Sequence, residues 1–159
     1  MAPEHLLLCY LGSGESDEIL RQAAELCTAS GARLSVLLPV VDTAVPDGCC
    51  GVQGEHWRRM MDEETKAAAA RAEQRLTTFG CPPANVTIDV GPSMTEIALA
   101  AAARLGCDAI GVGRKRRPWS GGLSRRRLEA LRRAAPGTVI ELTAAAAREP
   151  APVDMAVRS

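Results

Sequence analysis

Five short apolar runs punctuate the chain, each divided from the next by residues with helical spacing. They are His5–Leu11 (HLLLCYL), Arg33–Val41 (RLSVLLPVV), Asn85–Val90 (NVTIDV), Asp108–Gly113 (DAIGVG) and Thr138–Leu142 (TVIEL). None exceeds nine residues, which is strand length rather than helix length. Strands apolar on both faces must be covered on both faces. Alternating with helices, they imply an α/β fold, a doubly wound parallel sheet with helices on either side and right-handed crossovers.

The intervening segments carry their own signals. Ser16 can cap a helix with Glu18 in its first turn. Ile19, Leu20, Ala23, Ala24 and Cys27 make one face of that helix, and Gly31 stops it. Residues 42–54 are rich in Gly, Pro and Asp and read as a loop. From about Glu55 to Phe79 the spacing is helical, with Trp57, Met60, Met61, Ala68, Ala72, Leu76 and Phe79 on one side. Ser93 and Glu96 have capping-box spacing ahead of Met94, Ile97, Ala98, Ala101 and Leu105. A last helix runs from about Ser124 to Ala134. Pro39 lacks an N–H, so strand pairing should weaken beside it. Residues 143–159, rich in Ala, Pro and Arg, have no sustained apolar face and read as a flexible C-terminal tail. The domain is thus expected over 1–142.

Composition narrows the function classes. Hydrophobic residues make up 47% of the 159 and charged residues 24%, which excludes disorder or a fibrous repeat for the whole chain. No apolar run approaches the roughly 20 residues of a membrane helix. Met1–Leu11 has neither a basic n-region nor a small-residue cleavage site, so no signal peptide is read. The six cysteines (Cys9, Cys27, Cys49, Cys50, Cys81 and Cys107) form no CxxC pair, which fits a reducing, cytoplasmic setting. With only Tyr10, Trp57, Phe79 and Trp119 aromatic, the composition gives poor support to a nucleic-acid surface built on stacked bases.

A net charge of zero conceals a division. Residues 1–113 hold 15 acidic and 8 basic side chains, a balance of −7, while residues 114–159 hold 4 and 11, a balance of +7. Nine of those basic residues fall between Arg114 and Arg133. Such a cluster can serve an acidic partner, a polyanion or an anionic surface, or simply be a solvated helix face. Trp119 could insert into a partner or cover the sheet end. Cys49-Cys50 could sense oxidants if accessible, or be incidental. His5 and His56 have no serine, cysteine or carboxylate arrangement around them in the sequence and read as structural.

Ligands of doubly wound sheets sit beyond the carboxyl ends of the strands, where strand order reverses. Gly12-Ser13-Gly14, Val41-Asp42 and the stretch from Gly113 to Gly122 fall there. Gly-rich turns can offer N–H groups to phosphate or merely turn the chain.

The segments HLLLCYLGSGESDEILRQAAELCTASGARLSVLLPVV, GPSMTEIALAAAARLGCDAIGVGRKRR and AAPGTVIEL resemble, in order and spacing, the universal stress protein family over about residues 4–142. The expected sheet has five strands in the order 3-2-1-4-5. The resemblance implies a homodimer through the last strand, Val139 to Leu142, where Glu141 would need pairing or exposure. Nucleotide-binding members of the family carry G-x-x-G-x9-G-[S/T] after the fourth strand and an Asp at the end of the first. Here the Asp position is Leu11, followed by Gly12 and Ser13. Gly113 matches the first motif glycine and Arg116 stands at the second. The Gly-Ser position is arginine: Arg126-Arg127 counted forward, or Arg125-Arg126 counted back from Ala135. Gly121 and Gly122 survive between them, and Val40 matches the adenine-side valine.

Losing the Asp removes a polar partner, and replacing glycine adds bulk where backbone approaches phosphate. Guanidinium groups, however, bind phosphate in bidentate fashion, and a helix starting near Ser124 adds a favourable dipole. The resemblance therefore implies a non-enzymatic cytoplasmic stress-response or regulatory protein with a degenerate nucleotide pocket at Leu11, Gly12, Ser13, Val40, Gly113, Arg116, Gly121, Gly122, Ser124 and Arg125–Arg127. ATP or another phosphate ligand is the alternative occupant. A third reading is an interaction module using the arginines on an acidic partner. The loop RKRRPWSGGLSRRR also resembles that of the stress-protein-like domain of the potassium-responsive sensor kinase, which points to regulation.

Overall fold

Alternation along the first strand decides which helices it meets. The computed structural model describes residues 2–10, 16–41, 51–113 and 124–142. Within β1 (His5–Cys9), Leu6 and Leu8 point to one face and Leu7 and Cys9 to the other, and all four are buried. The first pair packs with residues of α1 (Ser16–Ser30) and α2 (Gly51–Thr78), among them Ile19, Leu20, Ala23, Cys27, Ala72 and Leu76. The second pair packs with residues of α3 (Met94–Leu105) and α4 (Arg125–Ala134), among them Ile97, Ala101, Leu128 and Leu131. Two apolar layers thus flank one sheet, as an apolar-on-both-faces strand requires. Each buried leucine contributes roughly 1.5–3 kcal/mol.

The remaining strands are β2 (Arg33–Val41), β3 (Asn85–Gly91), β4 (Ala109–Gly113) and β5 (Thr138–Leu142). All pairings are parallel, and the order is β3-β2-β1-β4-β5, as expected. The reversal of strand order falls between β1 and β4. Cys9 pairs with Leu37 on one side and Val112 on the other.

Local chemistry explains the boundaries. Ser93, with extended backbone, accepts the Glu96 N–H at 3.2 Å and caps α3. Gly106 ends it in the left-handed region at φ 70°, a conformation that costs glycine little. Gly31 does the same after α1 at φ 73°.

Pro39 refines its expectation. The Leu37 carbonyl accepts the Tyr10 N–H, so odd residues of β2 face β1 and even ones face β3. Pro39 therefore lacks its donor only on the β1 side, beyond the last paired residue of β1. Pairing with β3 continues through it to Val41 and Gly91.

Three expectations need correction. The first strand ends at Cys9 rather than Leu11 within the described residues. The long helix begins at Gly51, four residues earlier than its spacing indicated, because Gly51 and Gly54 read as loop residues. Met60, assigned to the inner side of that helix, is 49% exposed. A 28-residue helix spans about 42 Å, while the seven residues of β3 span about 23 Å. The helix overshoots its strand, so its first half has little to pack on. β3, the edge strand of the sheet, is not covered on both faces: Ile88 and Val90 are exposed. The segment 143–159 lies outside the described residues.

Candidate functional site

The crevice at the carboxyl ends of β1 and β4 is bordered by two helices whose first turns carry opposite charge. Asp17 and Glu18 lie in the first turn of α1. Arg125, Arg126 and Arg127 open α4, all exposed. A helix N-terminus carries about half a positive charge, which carboxylates oppose and guanidiniums reinforce. Both carboxylates of α1 are engaged: Glu18 is paired with Arg21, and Asp17 lies 3.7 Å from Arg75. Arg125 reaches Glu129 at 3.3 Å. An anion approaching this edge is drawn to the α4 side.

Ser124 fixes that turn. Its backbone is extended, and its hydroxyl accepts the Arg127 N–H at 3.4 Å. Leu128 and Leu131 anchor α4 to the core, which turns the arginines outward.

Val40 and Gly113 lie on the same sheet edge, on strands separated by β1, hence about 10 Å apart laterally at the usual strand spacing. Gly113 has a packing duty that its place in a motif does not reveal. A Cβ there would overlap the Ile19 Cδ1 of α1, and Gly111 on the same face lies against Leu142, Leu6 and Leu8. The two glycines of β4 let α1 and the end of β5 close over the strand. Leu11, Gly12, Ser13, Arg116, Gly121 and Gly122 lie outside the described residues, as do Cys49, Cys50 and Trp119. Of the predicted site residues, the structure brings Val40, Gly113, Ser124 and Arg125–Arg127 to the carboxyl edge.

Cys9 and Tyr10 also occupy this edge and were not singled out from the sequence, since both read as members of an apolar run. Burial pushes the Cys9 thiol up to about 12, so it stays protonated and is a poor nucleophile. Burial, and then the charge of Asp17, raise the Tyr10 phenol. Both side chains are buried, Tyr10 in the α1/α2 layer and Cys9 in the α3/α4 layer.

The other buried polar cluster lies at the opposite end of the sheet. His5 Nε2 is 2.7 Å from Ser35 Oγ, and Asn85 Nδ2 donates to that oxygen at 3.3 Å. Burial, and then the charge of Arg33, lower the His5 pKa. Among the described residues no group of three or more His, Cys, Asp or Glu side chains could hold a metal. No helix among them is long and apolar enough to cross a membrane.

A doubly wound parallel sheet, flanked at its switch point by a basic helix N-terminus, defines an α/β protein of the nucleotide-binding-like class. The universal stress protein family model matches residues 3–140. The chain belongs to the universal stress protein family. It is similar in fold to a universal stress family protein from Burkholderia pseudomallei at 22% identity, covering 87% of this chain and 95% of that one with a TM-score of 0.63. It is likewise similar to a universal stress protein in complex with cAMP, at 16% identity, 91% and 99% coverage and a TM-score of 0.63. A third similar structure is the Archaeoglobus fulgidus universal stress protein in complex with dAMP, at 16% identity, 89% and 98% coverage and a TM-score of 0.55. No curated protein matches the sequence.

Proposed function

We propose that this protein is a non-enzymatic, cytoplasmic stress-response regulator whose nucleotide pocket has departed from the family's ordinary ATP mode. The observation that carries this reading is the first turn of α4. Arginines 125–127 stand there, exposed, where the resemblance places Gly-Ser. Leu11 in place of the Asp points the same way. The solved relatives with cAMP and dAMP make an adenine nucleotide the natural ligand to test.

The absence of turnover is inferred from residue placement. His5 lies at the amino end of the sheet and is engaged with Ser35, and His56 is exposed on α2. Neither faces the crevice as a general base. Residues 1–142 form the functional domain and 143–159 a tail. A homodimer pairs β5 with its copy: β5 is an edge strand, and its Glu141 is already paired with Arg132 at 3.3 Å, which removes one obstacle to covering that edge.

Calorimetric titration with Mg-ATP near physiological salt, after a check for co-purified nucleotide, tests the reading. No heat at millimolar ATP is expected. A micromolar dissociation constant would overturn it in favour of an ATP-binding member.

A second reading has its own observation. Arg126, Arg127 and Arg133 are exposed on α4, while among the described residues Arg125 and Arg132 are paired with carboxylates. That face suits an acidic protein partner.

A further inference from the structure

Two of the cysteines, far apart in sequence, line one cleft at the amino edge of the sheet. Cys27 lies in the last turns of α1, and Cys81 follows the end of α2. Both border a cleft of about 390 Å³, along with Thr28, Arg33, Gly80 and Pro82. We propose that Cys27 and Cys81 form a peroxide-sensitive dithiol, which closes to an intramolecular disulfide across this cleft.

Three further observations support the pairing. Cys27 belongs to the core cluster against which Cys81 packs. The Cys27 thiol points at the Arg33 carbonyl, 4.0 Å away on the cleft wall. Burial first, and then the neighbouring Cys81, push Cys27 up to about 11, so the two sulfurs sense one another. Access differs between them. Cys27 is 1% exposed and Cys81 is partly exposed. This divides the roles as a two-step oxidation needs.

The steps balance with hydrogen peroxide as the oxidant. The Cys81 thiolate attacks one peroxide oxygen, the O–O bond breaks, and Cys81 becomes a sulfenic acid as hydroxide leaves. The Cys27 sulfur then attacks the Cys81 sulfur. The S–O bond breaks, and the departing hydroxide takes up the Cys27 proton as water. Two thiols and one peroxide thus give one disulfide and two waters. Both reactive groups sit on segments that end helices, Cys81 just after the left-handed Gly80 at φ 78°. Helix termini can make the approach that disulfide geometry requires more easily than paired strands can.

The full-length protein is treated with hydrogen peroxide, quenched by alkylation in denaturant, digested without reductant and analysed by mass spectrometry. A peptide pair joining Cys27 to Cys81, two hydrogens lighter than its separate halves and released by dithiothreitol, is expected from monomeric protein. Cys27→Ser, with folding checked by circular dichroism, is expected to leave Cys81 trappable by dimedone. Cys81→Ser is expected to leave Cys27 alkylated as in untreated protein. The proposal is overturned if Cys27 remains fully alkylatable after Cys81 is oxidised, or if Cys81 links only to another chain or another cysteine. The paired variants keep it testable should one of them fail to fold.

Discussion

Asp108 and His5 hold one another by reciprocal bonds: the Asp108 carboxylate accepts the His5 N–H at 2.8 Å, and the His5 carbonyl accepts the Asp108 N–H at 3.1 Å. The same carboxylate accepts the Glu4 N–H, and the Asp108 carbonyl accepts the Thr138 N–H at 3.3 Å. One residue therefore ties β1, β4 and β5 together at their amino ends. The Glu4 N–H first, and the His5 N–H second, hold its carboxyl below the usual carboxylate range. The unfolded chain binds that proton more readily, so the contribution is present above the ordinary value of 3.8 and lost as pH falls through the folded value. Asp108→Asn is expected to lower stability at neutral pH by about 1 kcal/mol, a value reduced for solvent screening. Urea unfolding should show the gap between wild type and variant narrowing below about pH 4. A gap independent of pH would refute the assignment.

His5 should act in a different window. His5 Nε2 lies 2.7 Å from Ser35 Oγ, which also accepts the Asn85 amide N–H. A charged imidazole loses its hydration at this buried site. Burial and Arg33 lower the folded pKa of His5, while Asp108 opposes them. The stability it contributes is complete above the unfolded value of about 6.5 and is lost as pH falls through the folded one. Wild-type protein is expected to lose stability as pH falls below about 6.5, and His5→Gln to flatten that slope. Equal slopes in the two proteins would show that another group titrates.

Much of this fold could be read from the residues because each strand is apolar through its whole length. Leu6, Leu7 and Leu8 need cover on both faces, and that requirement leaves few architectures. Ser93 and Gly106 marked the ends of α3 through local chemistry that owes little to tertiary context. Met60 and Val90 resisted the same reading. Periodicity says which residues share a face but not where the neighbouring element ends: α2 outruns β3, which leaves Met60 exposed, and Val90 lies on the edge strand. Gly113 was visible as a motif glycine, yet its contact with Ile19 is a tertiary fact with no local trace. Tyr10 and Cys9, at the carboxyl end of the first strand, were hidden by the very apolar run that identified that strand.

Two glycines at the ends of β4 and before β5 should respond differently to a methyl group. At Gly137 a Cβ would collide with the Asp108 carbonyl oxygen, a backbone atom, whereas at Gly113 it would meet the tip of Ile19. Backbone already bonded to Thr138 cannot withdraw freely, but an isoleucine side chain can shift. Gly137→Ala is expected to cost about 2–3 kcal/mol and Gly113→Ala about 1 kcal/mol. Thermal and urea unfolding of both variants check the ranking, and a reversed order would mean that Ile19 is locked in place. Because Gly113→Ala disturbs α1 packing, loss of ligand binding in that variant would not by itself place a ligand at the glycine.

The arginine face of α4 predicts a salt-dependent partner interaction. Arg132 is engaged with Glu141 at 3.3 Å and with a half-exposed side chain, so its charge is partly satisfied within the fold. Arg126 and Arg127 stand exposed at the start of the helix, where the backbone N–H groups add to their field. An acidic peptide such as poly-glutamate should therefore bind through these two arginines, with affinity falling steeply as salt screens the contact. Replacing both by alanine is expected to weaken binding by about tenfold or more, at roughly 1.4 kcal/mol per decade, while Arg132→Ala changes it little. Fluorescence anisotropy of the labelled peptide at low and near-physiological salt reads both effects. Equal losses from Arg132→Ala and the double variant would mean that the helix attracts anions only through its overall charge. Affinity unmoved by salt would remove the acidic-partner reading.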